Sequence, residues 1–388
     1  MKTLAQSPTD PAFVQNPYPF YEMARAQGPF FYWSDYGLTC TTSAAACNGI
    51  FRDRRFGRES PVPLQIAPHL APFYAVEAHS MLELEPPRHT RLRGLVLRAF
   101  TSRRIAALGP EIATLSHTLI DAFPAGEFDL LQHFGTRLPV IIIARLLGVP
   151  EDMSDDLLKW SNAMVGMYMA GRDRAAEDRA ATATNAFTAF LRGYIAERRA
   201  NPADDLITHL IAAESEGDRL TTDELISTCI LLLNAGHEAT VHTIGNGVKT
   251  LLETGTKGSL SNPEPAIEEI LRYDPALHMF TRWAYEEVEV MGHTFQRGDQ
   301  IALLLAAANR DPANWDNPGH FDPARIVKPN ATFGAGLHFC VGAPLARLEL
   351  RTALPILFQR LPGLHLTEAP TYADVYHFHG LNRLVVTA

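Results

Sequence analysis

Cys340 lies in a glycine-rich segment whose composition suits a sulfur ligand to a metal. The segment, residues 333–342, reads FGAGLHFCVG and has glycines at 334, 336 and 342. Glycine permits positive φ angles and lets the backbone approach a bound group closely, with N–H groups directed at a sulfur. A helix is predicted to begin directly afterwards, and its dipole favours the thiolate form of Cys340. A thiolate surrounded by N–H donors is an electron-rich axial ligand for heme iron.

Other reactive residue types form no comparable pattern. His237 and His242 flank Glu238, but they are five residues apart and not four, so they do not share the helix face that a zinc site needs. No phosphate-binding loop, dinucleotide fingerprint or serine nucleophile elbow is present. The remaining cysteines form no C-x-x-C pair, so neither a disulfide framework nor a four-cysteine zinc site is predicted. Three cysteines are therefore expected to be small buried hydrophobic residues: Cys40, Cys47 and Cys229.

The composition is that of a globular protein. The chain has 388 residues, of which 46% are hydrophobic and 20% charged. It carries 34 basic and 43 acidic residues, a net charge of -9 that disfavours nucleic acid as a partner. No apolar run approaches the ~18 residues that span a bilayer, and the N-terminus does not read as a signal peptide. We therefore expect a cytoplasmic protein without a membrane partner, folded as one domain over residues 1–388.

The elements around these residues are mostly predicted helices, with a minority of strands. Apolar periodicity predicts three helices, Ile105–Phe123, Leu138–Leu147 and Ala175–Arg199. Short β-rich stretches predict a hairpin around Gly292 and a terminal strand in the sequence RLVVTA. No flexible linker divides the chain, so a mostly α (α+β) fold is expected.

One predicted helix is exceptionally long. Thr221 and Glu224 have the capping-box spacing, and the apolar run that follows should continue to about Glu253. A helix of this length with little charge in its first half must cross the interior. The polar residues at its midpoint, 234–240, therefore call for a functional explanation.

The cysteine segment resembles the heme-binding loop of the cytochrome P450 family. Phe333, Gly336, Cys340 and Gly342 match the pattern F-x-x-G-x-x-x-C-x-G. The resemblance implies the cytochrome P450 fold, a helix-rich triangular prism with small β-sheets. It also implies heme b as the cofactor, with the Cys340 thiolate as the axial ligand of the iron.

Further matches precede this loop in the family's order. Glu269 and Arg272 resemble the Glu-x-x-Arg helix, and Arg325 in FDPAR resembles the residue that completes a structural ion-paired triad. The heme propionates need cations or hydrogen-bond donors, which the resemblance supplies in four residues: His89, Arg93, Arg282 and His338. Residues 89 and 93 are four apart, so both reach one side of a helix.

The midpoint of the long helix resembles the family's oxygen-binding groove, usually Ala/Gly-Gly-x-Asp/Glu-Thr. In this chain residues 235–240 read AGHEAT. The resemblance implies that Ala235 and Gly236 leave room for O2 and that Glu238 helps to relay protons.

Ala239 departs from this pattern, because the family usually has a Thr that assists proton delivery there. Thr240 is rotated by about 100° from that face, and Thr243 is on that face but one turn away. The catalytic prediction therefore names Glu238, Ala239 and Thr240. It leaves proton delivery open between ordered water, a substrate hydroxyl and a preference for peroxide over O2.

The resemblance implies a monooxygenase that hydroxylates or O-dealkylates a small to medium hydrophobic substrate. Asn234 or His237 either contacts the substrate or is turned away from it. A loop at about residues 75–84 is expected to form a further wall. Six residues are the predicted pocket positions: Leu231, Asn234, Ala235, Leu277, Phe280 and Phe378.

Electrons are expected from a ferredoxin and a ferredoxin reductase, and the protein is expected to be a monomer. Two alternatives stay open, a peroxide-dependent peroxygenase on the same scaffold and a non-catalytic heme ligand sensor. A basic patch is one candidate docking surface for the electron donor, formed by Arg88, Arg91, Arg98, Arg103, Arg104 and Arg347.

Overall fold

The computed structural model describes residues 1–169, 171–215 and 218–388 and is built mainly of helices. The α-helices are α1 (Pro11–Gln15), α2 (Tyr18–Arg25), α3 (Ala44–Arg52), α4 (Ala71–Glu77), α5 (Arg88–Ala99), α6 (Ser102–Ala107), α7 (Gly109–Asp121), α8 (Arg137–Leu147), α9 (Ser154–Val165), α10 (Arg174–Ala200), α11 (Leu206–Ala212), α12 (Thr222–Glu253), α13 (Pro263–Tyr273), α14 (Leu305–Ala308) and α15 (Ala343–Arg360). The strands are β1 (Lys2–Leu4), β2 (Phe31–Trp33), β3 (Leu38–Thr41), β4 (Phe56–Gly57), β5 (Phe128–Asp129), β6 (Glu214–Ser215), β7 (Asp218–Arg219), β8 (Met279–Ala284), β9 (Val288–Val290), β10 (His293–Phe295), β11 (Gln300–Leu304), β12 (His365–Leu366) and β13 (Val385–Thr387).

The largest sheet has six strands in the order β1-β2-β3-β11-β8-β4. β11 is parallel to β3 and antiparallel to β8. Side chains alternate across β11, so Ile301 and Leu303 pack on one face of the sheet while Ala302 and Leu304 pack on the other. The sheet thus has an apolar layer on each face, beside a larger helical core.

The two strand predictions are confirmed. β9 and β10 pair as an antiparallel hairpin, and the turn residues Met291 and Gly292 have φ angles of 49° and 79°. Two positive φ angles are what a two-residue hairpin turn requires. β13 is the predicted terminal strand and pairs with β12 and β5.

The helix predictions are confirmed for α8 and α10 and wrong for residues 105–123. That stretch belongs to two helices, α6 and α7, which meet at Leu108. Pro110 lies in the first turn of α7. Because proline has no backbone N–H and clashes with the preceding turn, it begins a new helix and cannot continue the previous one.

The three cysteines outside the glycine-rich segment are buried, as expected. Cys40 and Cys47 lie in the two layers beside the sheet, and Cys229 lies in the helical core. Burial raises the pKa of the Cys47 and Cys229 thiols to about 12. These thiols are therefore protonated at neutral pH and serve as packing groups.

The long helix α12 extends from Thr222 to Glu253, about 48 Å at 1.5 Å per residue. Its N-terminus has the predicted capping box, in which Thr221 and Glu224 bond to each other's backbone N–H. α13 packs so closely on it that a Cβ at Gly247 would lie 2.9 Å from Ile270. Among the described residues, no helix is long and apolar enough to span a lipid bilayer.

Arg272 on α13 is a buried charge that is fully hydrogen-bonded within the protein. Its Nε and Nη2 each donate to Glu269 at 2.7 Å. Its remaining N–H groups donate to the carbonyl oxygens of Asn309, Pro318 and His320 at 2.9, 2.9 and 3.3 Å. All five guanidinium donors are therefore used.

Glu269 is shared with a second arginine. Arg325 Nε lies 3.2 Å from its carboxylate, and the backbone N–H of Asp322 donates to it at 2.9 Å. The structure thus brings together the three residues of the predicted triad. Glu269 is 3% exposed and Arg272 1% exposed, so neither charge can be compensated by solvent.

The triad is connected to the glycine-rich segment through Asn309. Arg272 holds the Asn309 carbonyl, and the Asn309 side chain accepts from the N–H of Ala331 at 2.6 Å and donates to Thr332 at 2.9 Å. Thr332 in turn donates to the Leu271 carbonyl at 2.6 Å. The position at which the cysteine segment begins is therefore set by the α13 ion pair.

Replacing Glu269 by glutamine should destabilise the protein by about 3–5 kcal/mol, because Arg272 would keep a buried charge without its partner. Glu264 on the same helix pairs with Arg351 but is 60% exposed, so Glu264→Gln should cost less than about 1 kcal/mol. Urea unfolding of both variants measures the difference. Equal free energies of unfolding would contradict the role given to this ion pair.

Candidate functional site

The glycine-rich segment turns sharply before Cys340. Gly334 and Gly336 have φ angles of 65° and 69°, as the sequence predicts. The prediction is wrong for Gly342, which has φ −82° and is the N-cap of α15. The N–H of Cys340 donates to the Phe333 carbonyl at 3.0 Å and closes the loop.

Besides its positive φ angle, Gly336 is constrained by close contact with α3. A Cβ at this position would overlap the carbonyl oxygen of Phe51 at the end of α3. The loop therefore rests directly on the backbone of α3, and only glycine fits. Gly334 has no such contact, because its nearest neighbour would be the Phe51 ring at 3.8 Å.

The sulfur of Cys340 accepts from the N–H groups of Gly342 and Ala343, the first residues of α15. Burial raises the pKa of this thiol, and the two N–H donors, Arg93 and Arg347 oppose the rise only in part. The N–H groups at the start of α15 thus favour the thiolate, as expected, but the effect of burial on the pKa is larger. A coordinated cation would complete the stabilisation, because metal binding deprotonates a coordinating thiol.

His89 is a buried donor without an acceptor among the described residues, and Arg282 is a buried guanidinium with one backbone acceptor. His89 is fully buried, and neither ring nitrogen has a hydrogen-bond partner among the described residues. Arg282 is 4% exposed and makes one hydrogen bond in the described chain, to the Thr281 carbonyl at 2.8 Å. Burial lowers the pKa of Arg282 to about 10 and that of His89 to about 4. Unpaired buried donors fit carboxylates brought by a ligand, such as heme propionates.

Arg93 and His338, the other two predicted propionate residues, already have partners. Arg93 donates to the Phe339 carbonyl at 2.6 Å. His338 Nε2 lies 2.8 Å from Glu85, and its ring lies 4.3 Å from that of His89. His338 therefore orients Glu85 and packs on His89. Glu85 belongs to no motif identified above, so its role could not be predicted from the sequence.

One face of α12 is accessible although most of the helix is buried. The accessible positions follow helical spacing: Leu231, Asn234, Ala235, Glu238 and His242. Thr240 is buried away from this face, so the structure does not bring this predicted catalytic residue to the groove. The Thr243 hydroxyl donates to the Ala239 carbonyl at 2.7 Å and is also engaged.

Gly236, which the sequence assigns to the oxygen-binding groove, also packs closely against α8. A Cβ there would lie 2.9 Å from Ile143 on α8. Both members of the pair expected to leave room for O2 are accessible in part, since Ala235 is exposed and Gly236 is half-buried.

Glu238 lies between two imidazoles. His237 Nε2 is 3.6 Å from one carboxylate oxygen and His242 Nε2 is 3.3 Å from the other. His237 Nδ1 lies 2.7 Å from the Leu233 carbonyl, which can only accept, so Nδ1 carries the proton. In the neutral tautomer His237 thus presents a bare nitrogen to Glu238. Burial raises the pKa of the Glu238 carboxyl, but His242 and His237 lower it overall, so the arrangement favours the ionised carboxylate.

Some of the predicted pocket residues lie close together in the structure. Leu277 and Phe378 form an isolated backbone bridge, and Phe280 follows in β8. Asn234 Nδ2 lies 3.9 Å from the Met164 sulfur on α9, while its buried Oδ1 has no partner in the described chain. Asn234 therefore has an acceptor available, whereas His237 is bonded to its own helix.

A second polar cluster has no counterpart in the sequence analysis. Asp274, His278 and His379 are buried with ligand atoms within 4.8 Å of one another. Tyr18 and Tyr372 each donate to the Asp274 carboxylate. Because both carboxylate oxygens already accept phenol hydroxyls, we interpret this group as a structural connection between α2, the end of α13 and the C-terminal segment.

Comparison with known proteins gives a consistent result. A sequence model of the family "Cytochrome P450" matches residues 264–366. The chain is 34% identical to the "Biotin biosynthesis cytochrome P450" of Bacillus subtilis (strain 168), over 99% of each chain. It is 37% identical to the "Vitamin D(3) 25-hydroxylase" of Pseudonocardia autotrophica, over 97% of this chain and 94% of the relative.

A solved structure shares the whole architecture. The crystal structure of P450BioI in complex with hexadec-9Z-enoic acid ligated acyl carrier protein superimposes with a TM-score of 0.92. The two chains are 34% identical, and the match covers 97% of this chain and 99% of the other. The fold class expected from the sequence is confirmed.

Gly336→Ala should destabilise the cysteine loop more than Gly334→Ala. Both substitutions force a side chain into a left-handed conformation at a cost of about 1–2 kcal/mol, but only the first also overlaps the α3 backbone. Urea unfolding together with the heme content of the purified variants measures this difference. Indistinguishable variants would contradict the close approach of the loop to α3.

Proposed function

Because the chain belongs to the cytochrome P450 family, we propose that it hydroxylates or O-dealkylates a small to medium hydrophobic substrate with electrons from a ferredoxin-type partner. The family establishes a monooxygenase with heme b bound through a cysteine thiolate. The observation that carries the proposal is the position of Cys340 beside two N–H donors, in a chain that also holds the buried donors His89 and Arg282.

The net reaction is R–H + O2 + 2e⁻ + 2H⁺ → R–OH + H2O. One oxygen atom enters the substrate, and the other leaves as water. When the attacked carbon carries an ether oxygen, the hydroxylated product is a hemiacetal that separates into an alcohol and an aldehyde. Bound heme supplies the one-electron and O2 chemistry.

The residues of the chain hold the cofactor and orient the reaction. Cys340 provides the sulfur ligand. His89, Arg93 and Arg282 provide donors for the propionates, with His338 ordered beside them by Glu85. The α13 ion pair and Asn309 fix where the Cys340 loop begins.

Glu238 is the proposed proton relay for the reaction. Burial would raise the pKa of its carboxyl, but His242 and His237 lower it overall. Ala239 provides no hydroxyl beside it, and the hydroxyls of Thr240 and Thr243 are turned away. Protons would therefore pass from Glu238 through ordered water or a substrate hydroxyl.

The proposed electron donors are a ferredoxin and its reductase, acting on a monomeric protein in the cytoplasm. Three residues of the predicted basic patch are paired with carboxylates, Arg91 with Glu224, Arg104 with Asp204, and Arg347 with Glu268. The other three, Arg88, Arg98 and Arg103, are exposed on α5 and α6 and are better candidate contacts than the patch as a whole. We also propose that residues 1–388 are one domain, supported by relatives that match over nearly their full length.

Two alternative functions, a peroxygenase and a heme sensor, depend differently on the residues of α12. Ala239 favours a peroxygenase, because a chain with weaker proton delivery would gain less from O2. A non-catalytic heme sensor would not need Glu238 on the accessible face of α12.

The test uses the purified holoprotein, a ferredoxin with its reductase, NADH and 18O2. Compounds that shift the ferric Soret band serve as substrates. One labelled oxygen atom per product is expected. Product formed only with peroxide would support the peroxygenase, and no product under either condition would support the sensor.

In the same assay Ala239→Thr should raise the product formed per NADH. If coupling and peroxide turnover both stayed unchanged, the role given to Ala239 would be wrong.

A further inference from the structure

Charged side chains lie at an edge of the pocket that the sequence predicts to be mostly apolar. Arg58 follows β4 and reaches β8, where its Nη1 lies 3.3 Å from the Thr281 carbonyl and its guanidinium 5.7 Å from the centre of the Phe280 ring. Its Nη2 donates to Glu83 in the loop before α5. The side chain of Arg58 is 11% exposed. This edge therefore combines a buried guanidinium, a carboxylate and an aromatic wall.

Glu77, the last residue of α4, adds a second carboxylate to this edge. The Tyr168 hydroxyl, in the turn after α9, donates to Glu77 Oε2 at 3.1 Å. The Tyr168 ring stacks on His377 with 6.2 Å between centroids, and His377 lies 6.4 Å from Phe280. Glu77 is thus connected through Tyr168 and His377 to Phe280, a predicted wall of the pocket.

The charges at this edge do not balance. Arg58 is engaged by Glu83, whereas Glu77 has no ion-pair partner in the part of the chain that the structure describes. Burial and the nearby Glu83 raise the pKa of Glu77 to about 8. Burial lowers the pKa of His377 to about 4, so this imidazole is neutral and supplies no charge. Glu77 therefore makes no ion pair of its own in the described chain, and Arg58, the cation that lowers its pKa, is already paired with Glu83.

We propose that this edge binds a cationic ammonium group of the substrate, between the Glu77 carboxylate and the aromatic rings around it. Carboxylates and aromatic faces both attract an ammonium ion, and the attraction is strongest where water is excluded. A substrate carboxylate would instead face Glu77 and Glu83, since the guanidinium of Arg58 is already neutralised. The proposal rests on the proposed monooxygenase function and narrows its substrate class to hydrophobic amines.

Three probes with the same ten-carbon chain test this directly: decyltrimethylammonium, 1-decanol and decanoate. A quaternary ammonium cannot ligate iron and keeps its charge at every pH. Affinities for the holoprotein are measured by isothermal calorimetry and, separately, by the shift of the ferric Soret band. The ammonium probe should bind about tenfold more tightly than decanol, and decanoate more weakly than decanol.

Glu77→Gln should abolish the preference for the ammonium probe while leaving decanol binding unchanged. Glu253→Gln is the matched control, because Glu253 is an exposed carboxylate paired with Lys249 at the far end of α12. Tyr168→Phe keeps the ring and removes only the hydroxyl bonded to Glu77. It should retain the preference, which separates cation binding from a contact that merely closes the pocket.

The ammonium affinity should also rise several-fold between pH 6.5 and 8.5 in the wild type. The Glu77 carboxyl is mostly protonated below its pKa of about 8 and ionised above it, and a cation binds the ionised form better. Tyr168 and Arg58 are the other titratable groups beside Glu77 whose pKa is shifted. Burial raises the pKa of the Tyr168 hydroxyl. Burial lowers the pKa of the Arg58 guanidinium, but Glu83 raises it overall. Neither changes charge in this range. Glu77→Gln should have no such pH dependence.

Any of three results would overturn the proposal. They are equal affinity for the ammonium probe and decanol, a preference for the ammonium probe that survives in Glu77→Gln, or tighter binding of decanoate than of decanol. Failure of the wild type to bind the ammonium probe in the calorimeter would also overturn it. The monooxygenase function is judged separately, by labelled oxygen in a product. A protein that oxidises neutral compounds but shows no ammonium preference would contradict this inference alone.

Discussion

The buried guanidinium of Arg272 is the constraint on which the cofactor loop depends. A charge that is 1% exposed is tolerated only when all its donors are used. Glu269 takes two of them, and three backbone carbonyls take the rest. One of these carbonyls belongs to Asn309, whose side chain holds residues 331 and 332. The energetic need to satisfy one charge therefore determines where the Cys340 loop starts.

Beyond that loop, the site is defined by polar groups whose partners the chain does not provide. Buried charges elsewhere in the chain differ in how far they are satisfied. All donors of Arg272 are used, whereas Glu349 on α15 is fully buried and neither of its carboxylate oxygens has a partner in the described chain. His89 and Asn234 also keep unpaired polar atoms, and Arg282 has one backbone hydrogen bond. Unsatisfied buried groups are costly in a folded protein. The proposed partners are heme propionates for His89 and Arg282, and a substrate ammonium group for Glu77.

The sequence predicted those features that depend on local spacing. The capping box at Thr221, the hairpin turn at Gly292 and the cysteine loop each lie within about ten residues, so their geometry follows from the order of residues. Of the contacts between distant segments, it predicted only those that the family resemblance supplied, such as Glu269 with Arg325. Glu85, Arg58 and Glu77 acquire roles only when their loops fold against β8, the cysteine loop and the C-terminal segment. The positive φ expected at Gly342 was wrong because a glycine in the sequence does not reveal whether φ or a neighbour requires it.

The central claim is that Cys340 is the thiolate ligand of a heme. The absorption spectrum of the reduced protein under carbon monoxide tests it most directly, because the position of the Soret band reports the axial ligand. We expect a strongly red-shifted Soret band in the wild type and its loss in Cys340→His, with heme still bound. A wild-type band without that shift, or a red-shifted band that persists in Cys340→His, would contradict it.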